Sequence, residues 1–154
     1  MTPAPLKLAW TTPDDAPAMA AVHAQAFAAP WDASAFAELM AGPGVFGILA
    51  GEAAELGVIL CRVAGGELEV LTIGVPPAAR RRGVARALMA GALGAARQAG
   101  ADTAFLEVAV DNAEAAALYA GLGFRRAGVR RNYYDRGIAG RADALVMRLD
   151  LADA

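Results

Sequence analysis

The chain has 154 residues, 57% of them apolar and 19% charged, which is the size of one domain with enough apolar side chains for one packed core. That composition excludes a disordered, solvating segment, and a net charge of −2 argues against a general nucleic-acid binder. No run approaches the about 18 uninterrupted apolar residues of a spanning helix, and the opening Met1 to Lys7 lacks a basic region followed by an apolar one. With Cys61 as the only cysteine, no internal disulfide can form, so the expectation is a cytoplasmic protein without membrane contact.

Leu6 to Trp10 reads as a first strand, and Thr12, Pro13 and Asp14 open a helix that reaches Phe27. Trp31, Asp32 and Ser34 precede a shorter helix over Ala35 to Met40, stopped by Gly42, Pro43 and Gly44. Val45 to Ala50, Leu56 to Val63 and Glu67 to Val75 are β-type runs, and the short turns at Gly51 to Glu55 and Ala64 to Gly66 make them an antiparallel meander. Gly83 to about Gly100 has no proline and reads as a long helix, followed by an apolar strand over Thr103 to Val110. Asp111 to Glu114 form an acid-x-x-Glu capping pattern for a helix through Leu122, stopped by Gly123. Phe124 begins another strand, and Ala144 to Leu149 form the last. This order predicts an α+β fold built on one mixed sheet within a single domain, residues 1 to 154.

Charge is unevenly spread. Residues 1 to 79 hold two bases against eight acids, net −6, whereas residues 80 to 154 hold twelve bases against eight acids, net +4. The second half is suited to an anionic ligand. At its start a strand leads through Pro76 and Pro77 into Arg80, Arg81, Arg82, Gly83, Val84, Ala85 and Arg86. Gly83 and Ala85 carry little bulk, so a phosphate can approach the exposed N–H groups of the helix start, with the arginines adding forked donors. The alternative is a solvated arginine cluster beside an ordinary helix cap. No Gly-Lys-Ser/Thr follows, and the spacing of a dinucleotide-binding fingerprint is missing.

Glu107 interrupts the strand Thr103 to Val110; a carboxylate there must be partnered, solvated or raised in pKa, and a raised one suits a base. Strand alternation offers a second reading, with Glu107 on a wet face of the sheet. Tyr119 reads equally as a helix residue with its ring in the core, Asn112 as a helix cap, and Glu69 as a second strand acid on a wet face. His23 on the first helix reads as structural or exposed rather than catalytic.

Arg80-x-x-Gly83-x-Ala85 after a strand, with Glu107 to Asn112 and Ala117-Leu118-Tyr119 before Gly121-Leu122-Gly123-Phe124, resembles the GNAT acetyltransferase superfamily. Arg130-Arg131-Asn132-Tyr133-Tyr134 followed by Gly140-Arg141-Ala142-Asp143-Ala144-Leu145 is similar to its RimI subfamily, the ribosomal-protein alanine N-acetyltransferases. The resemblance covers nearly the whole chain and is loosest over the first forty residues.

It implies a three-layer α/β/α fold, with a mostly antiparallel twisted sheet flanked by about four helices, and acetyl-CoA as co-substrate with no metal. Pantetheine would lie along Ile73, Gly74 and Val75, and the pyrophosphate on Arg81, Arg82, Gly83, Val84, Ala85 and Arg86, with Asn112 and Tyr119 also touching the cofactor. Glu107 would be the base, through a water, and Tyr119 the acid at the thioester sulfur; Trp31, Glu69 and Tyr133 would face the acceptor.

The resemblance further implies that the acceptor is a protein N-terminus, the N-terminal alanine of a small-subunit ribosomal protein, whose basic character suits the acidic first half. Relatives often carry asparagine at Thr72, arginine at Ala109 and glutamate at Ala142, which touches acceptor choice more than chemistry. A broader N-terminal, lysine or small-molecule amine acetyltransferase would share the same cofactor residues, as would a non-catalytic acetyl-CoA sensor. Direct nucleic-acid binding rests on the arginine cluster alone and is not expected.

Overall fold

A computed structural model describes residues 6–51, 55–135 and 137–151. The elements in chain order are β1 (Lys7–Trp10), α1 (Ala16–Ala26), α2 (Ala33–Met40), β2 (Val45–Gly51), β3 (Glu55–Ala64) and β4 (Glu67–Gly74). Then come α3 (Val84–Gln98), β5 (Thr103–Ala109), α4 (Ala113–Gly121), β6 (Arg125–Asp135) and β7 (Arg141–Asp150). The strands form one sheet in the order β1-β2-β3-β4-β5-β7-β6. Every neighbouring pair is antiparallel except β4 with β5.

Strand alternation sorts the apolar side chains between two helical layers. Ile48 and Ala50 of β2, Ile59 and Cys61 of β3, and Leu106 and Val108 of β5 pack with Val84, Leu88, Met89 and Leu93 of α3 and with Tyr119 of α4. Leu49, Val58 and Leu60 point to the opposite face and meet Met19 and Val22 of α1 and Phe36 of α2. Gly57 lets α3 start close against the sheet, since a Cβ there would lie 2.5 Å from Val84 Cγ1.

Small departures from the expected boundaries have local causes. Asp32 caps α2, its Oδ1 accepting from Ala35 N–H at 2.8 Å, so the helix opens at Ala33 rather than Ala35. α4 is capped by Asn112, whose Oδ1 accepts from Ala115 N–H at 3.2 Å, rather than through a box begun by Asp111. α3 runs from Val84 to Gln98 because Gly83 and Gly100 take left-handed φ of 79° and 87°. β6 and β7 extend well beyond their apolar stretches into polar residues, held by cross-strand pairing. The expected Gly51 to Glu55 turn includes residues 52–54, and the reading of the chain's opening includes residues 1–5; both sets lie outside the described residues.

Candidate active site

β4 and β5 pair only over Glu67–Glu69 with Thr103–Phe105. β5 then follows β7 while β4 follows β3, so the two strands part. A cavity of about 960 Å³ occupies the opening. Its walls include Ile73, Gly74 and Val75 from the end of β4, and Arg81, Gly83, Val84, Ala85 and Arg86 from the approach to α3. Glu107, Asn112 and Tyr119 line it from β5 and α4, Trp31 from the α1–α2 loop, and Tyr133 from β6. Of the candidates, Arg82 and Glu69 are not in its walls.

The β4 backbone is irregular beside the cavity. Leu60 of β3 pairs with Thr72 and the next residue, Cys61, with Val70, which leaves Leu71 as an extra residue. The insertion switches the faces of β4: Leu68, Val70 and Ile73 pack on the α3 side, while Thr72 and Gly74 approach α1. Gly74 is needed there, since a Cβ would stand 2.9 Å from Phe27 Cε2.

On the α3 side, a turn of Pro77–Ala79 is pinned by Arg80 Nε donating to Val75 O at 3.0 Å. Arg81 at φ 64° and Gly83 at φ 79° bend the chain into α3. The first bond of the helix runs from Ala87 N–H to Gly83 O at 3.0 Å, so the N–H groups of Val84, Ala85 and Arg86 precede it and suit an anion. Arg81 also lies 3.9 Å from Glu114 of α4, a highly exposed pair across the cavity rim. Tyr119 is buried, its ring set edge-on to Phe124 at 6.2 Å.

The opposite face holds the acidic side chains. Glu107 alternates with Leu106 and Val108 and so points away from α3, with a quarter of its side chain exposed. Of the three conditions the sequence left for this carboxylate, the structure supplies a partner: Arg130 Nη1 lies 3.0 Å from Glu107 Oε1. Tyr133 faces Glu107 as well, and its hydroxyl pKa is raised, first by burial and then by the Glu107 charge, with Arg130 opposing. Glu69 is paired with Arg62 at 3.2 Å.

His23, which the sequence left as structural or exposed, is 2% exposed. Trp31 N–H donates to its Nδ1 at 3.0 Å, so in the neutral ring the proton sits on Nε2 and is donated to Thr72 Oγ1 at 2.9 Å. The ring stacks on Phe27 at 4.2 Å and Trp31 at 5.3 Å. Burial lowers its pKa from 6.5 to about 4. A signal for this burial was present, since Met19, Val22, His23 and Ala26 share one helical face. Arg130 as partner of Glu107 had no such signal, because the two lie on strands separated by β7.

The other two departures from the family pattern are backbone partners in the sheet: Ala109 pairs with Ala144, and Ala142 with Tyr134. Among the described residues, no cluster of His, Cys, Asp or Glu suits a metal, and no helix is long and apolar enough to cross a membrane.

A phosphate-ready helix start and a carboxylate thus open onto one cavity from opposite faces of a parted sheet, and residues 9–124 match the model of the acetyltransferase (GNAT) family. The chain belongs to the GNAT family. It is an acetyl-CoA-dependent N-acetyltransferase, acetyl-CoA being the family's co-substrate. This GNAT chain is 39% identical to the N-alpha-acetyltransferase RimI of Mycobacterium tuberculosis, over 97% of its own length and 95% of that protein's. It is 33% identical to the ribosomal protein bS18-alanine N-acetyltransferase of Escherichia coli K12, over 90% and 93% respectively. The crystal structure of the E. coli S18-alanine N-acetyltransferase superposes with a TM-score of 0.86 at 31% identity, covering 95% of this chain and 94% of the other. Among the described residues the GNAT fold takes the form of an α/β/α arrangement of four α-helices around a mostly antiparallel seven-stranded sheet.

Proposed function

We propose that this enzyme acetylates the N-terminal α-amine of a protein, with Glu107 as base and Tyr119 as acid, and that its acceptor is the N-terminal alanine of a small-subunit ribosomal protein. The observation that carries the reading is the passage through the sheet, which lets donor and acceptor meet from opposite faces. The thioester would enter from the α3 side, its pyrophosphate on the N–H groups of Val84, Ala85 and Arg86, and its pantetheine along Ile73 to Val75. Arg81, Arg82 and Asn112 would complete that contact. The acceptor would enter between Trp31 and Tyr133, with Glu69 at the margin.

Attack requires an unprotonated nitrogen, and an α-amine with a pKa of about 7.7–8.0 reaches that state far more readily than a lysine at about 10.4. As the amine nitrogen bonds to the acetyl carbon, Glu107 accepts the proton the nitrogen sheds, directly or through a water. N–H groups of β4 beyond Glu69 that face the parted side polarise the thioester carbonyl. The C–S bond then breaks, and Tyr119 O–H protonates the departing thiolate; both groups reset by proton exchange with solvent. No acyl-enzyme is needed, and Cys61 takes no part: it is fully buried, and burial pushes its thiol pKa far up. The name of the M. tuberculosis relative supports an α-amine as acceptor, and that of the E. coli relative supports the alanine of a ribosomal protein.

The test is acetyl transfer from acetyl-CoA to short peptides beginning with Ala, Met or Ser, beside a blocked peptide with an internal lysine. Product confined to the alanine peptide is expected. Failure on every alanine-starting peptide, with turnover on another amine, overturns the choice of acceptor.

A further inference from the structure

Resting on the reading of Glu107 as base, we propose that Arg130 is a specificity-determining residue: by neutralising Glu107 it makes the acceptor site favour amines that arrive uncharged, and so α-amines over lysines. The contact is shaped by the fold. Arg130 pairs with Ala144 and Tyr134 with Ala142, so β6 takes four steps where β7 takes two. Asn132 adopts φ 52° within this bulge, and its N–H donates to Asp143 Oδ1 at 2.9 Å. The extra residues bring Arg130 and Tyr133 together over Glu107. The guanidinium lies 4.8 Å from the Tyr133 ring centroid and 3.0 Å from Glu107 Oε1.

The charges facing the acceptor balance. Glu107 meets Arg130 and the Tyr133 hydroxyl from β6. Glu69 of β4 meets Arg62 of β3, and His23 of α1 is buried and neutral. An ammonium entering here gains little, because its natural counter-ion already has one, and it must give up its own hydration. A carboxylate has about four lone-pair sites, so Glu107 still has room to accept from a neutral amine or a bridging water. At pH 7.5 about one third of an α-amine is neutral against roughly one part in 800 of a lysine, a preference of about 300-fold that needs no shape discrimination.

The experiment compares Arg130→Gln, Arg130→Met and Arg130→Lys with the wild type. It measures kcat/KM on an alanine-starting peptide and on an N-terminally blocked lysine peptide between pH 6 and 8.5. In the wild type, log kcat/KM should rise with pH at a slope near one for the lysine peptide, because only the neutral amine is captured. In Arg130→Gln and Arg130→Met an ammonium can pair with Glu107 and be captured. Glu107 takes its first proton and releases it to solvent through the bridging water, and is then free to accept the second during attack. With capture as the committed step, that slope should flatten and the α-to-ε ratio should fall at least about tenfold. Arg130→Lys, which keeps the charge, should retain the wild-type slope and ratio. A ratio within twofold of wild type in both neutral variants, with unchanged slopes, overturns the proposal, as does a loss of selectivity in Arg130→Lys equal to theirs. Alanine-peptide turnover that is lost in Glu107→Gln secures the parent reading separately; full turnover in Glu107→Gln overturns both.

Discussion

His23→Gln should change how stability depends on pH. In the folded protein the His23 pKa is lowered from 6.5 to about 4 by burial, while the unfolded chain keeps the ordinary value. The unfolded state therefore binds the proton first as pH falls. The contribution of the neutral ring is complete above about pH 6.5 and is lost between there and about pH 4. Between pH 7.5 and pH 5 the loss amounts to about 2 kcal/mol. With a urea m value of about 2 kcal/mol/M, that lowers the wild-type midpoint by about 1 M relative to the variant. The hydrogen bonds explain why the ring resists protonation, since Nδ1 already accepts from Trp31 N–H and a proton there would set two donors against each other. Urea unfolding of both proteins at pH 7.5, 6.5, 5.5 and 5.0 gives the comparison. Parallel midpoints across that range would refute the assignment of a buried, neutral His23.

Glu107→Gln and Tyr119→Phe should each lower kcat by about 10²–10⁴ while leaving acetyl-CoA affinity within a few-fold, measured by steady-state kinetics and calorimetric binding. Gly83→Val forces a β-branched residue to φ 79° at the helix start; it should cost about 1–2 kcal/mol and raise the KM for acetyl-CoA more than that for peptide. Gly74→Val places bulk against Phe27 and Ala26, so a loss of about 1–3 kcal/mol is expected in a melting scan, with the peptide KM rising more than the acetyl-CoA KM.

The helix start at Gly83 and the strand carrying Glu107 were legible because each depends on neighbours in sequence: a glycine that can take left-handed φ, and a carboxylate among apolar strand residues. The three-strand meander followed from its short turns for the same reason. Nonlocal pairings were not legible. That β7 would insert between β5 and β6, and that the bulge after Arg130 would carry a guanidinium across to Glu107, depends on register between strands far apart in sequence. Likewise, the His23 helical face signalled burial, but the partners Thr72 and Trp31 N–H come from other elements. The outer residues of β7 were missed, and the sequence marked only a start for β6 at Phe124, because the outer residues are mostly polar and pairing rather than apolar periodicity holds them.

The most direct test of the central claim is mass analysis of an alanine-starting small-subunit ribosomal protein after incubation with acetyl-CoA and either the wild-type enzyme or Glu107→Gln, followed by peptide mapping. The account predicts one added acetyl group, placed on the N-terminal nitrogen, equimolar release of free CoA thiol, and both products formed at least about a hundredfold more slowly with the variant. Acetyl groups found on lysine side chains, or modification by Glu107→Gln at the wild-type rate, would contradict it.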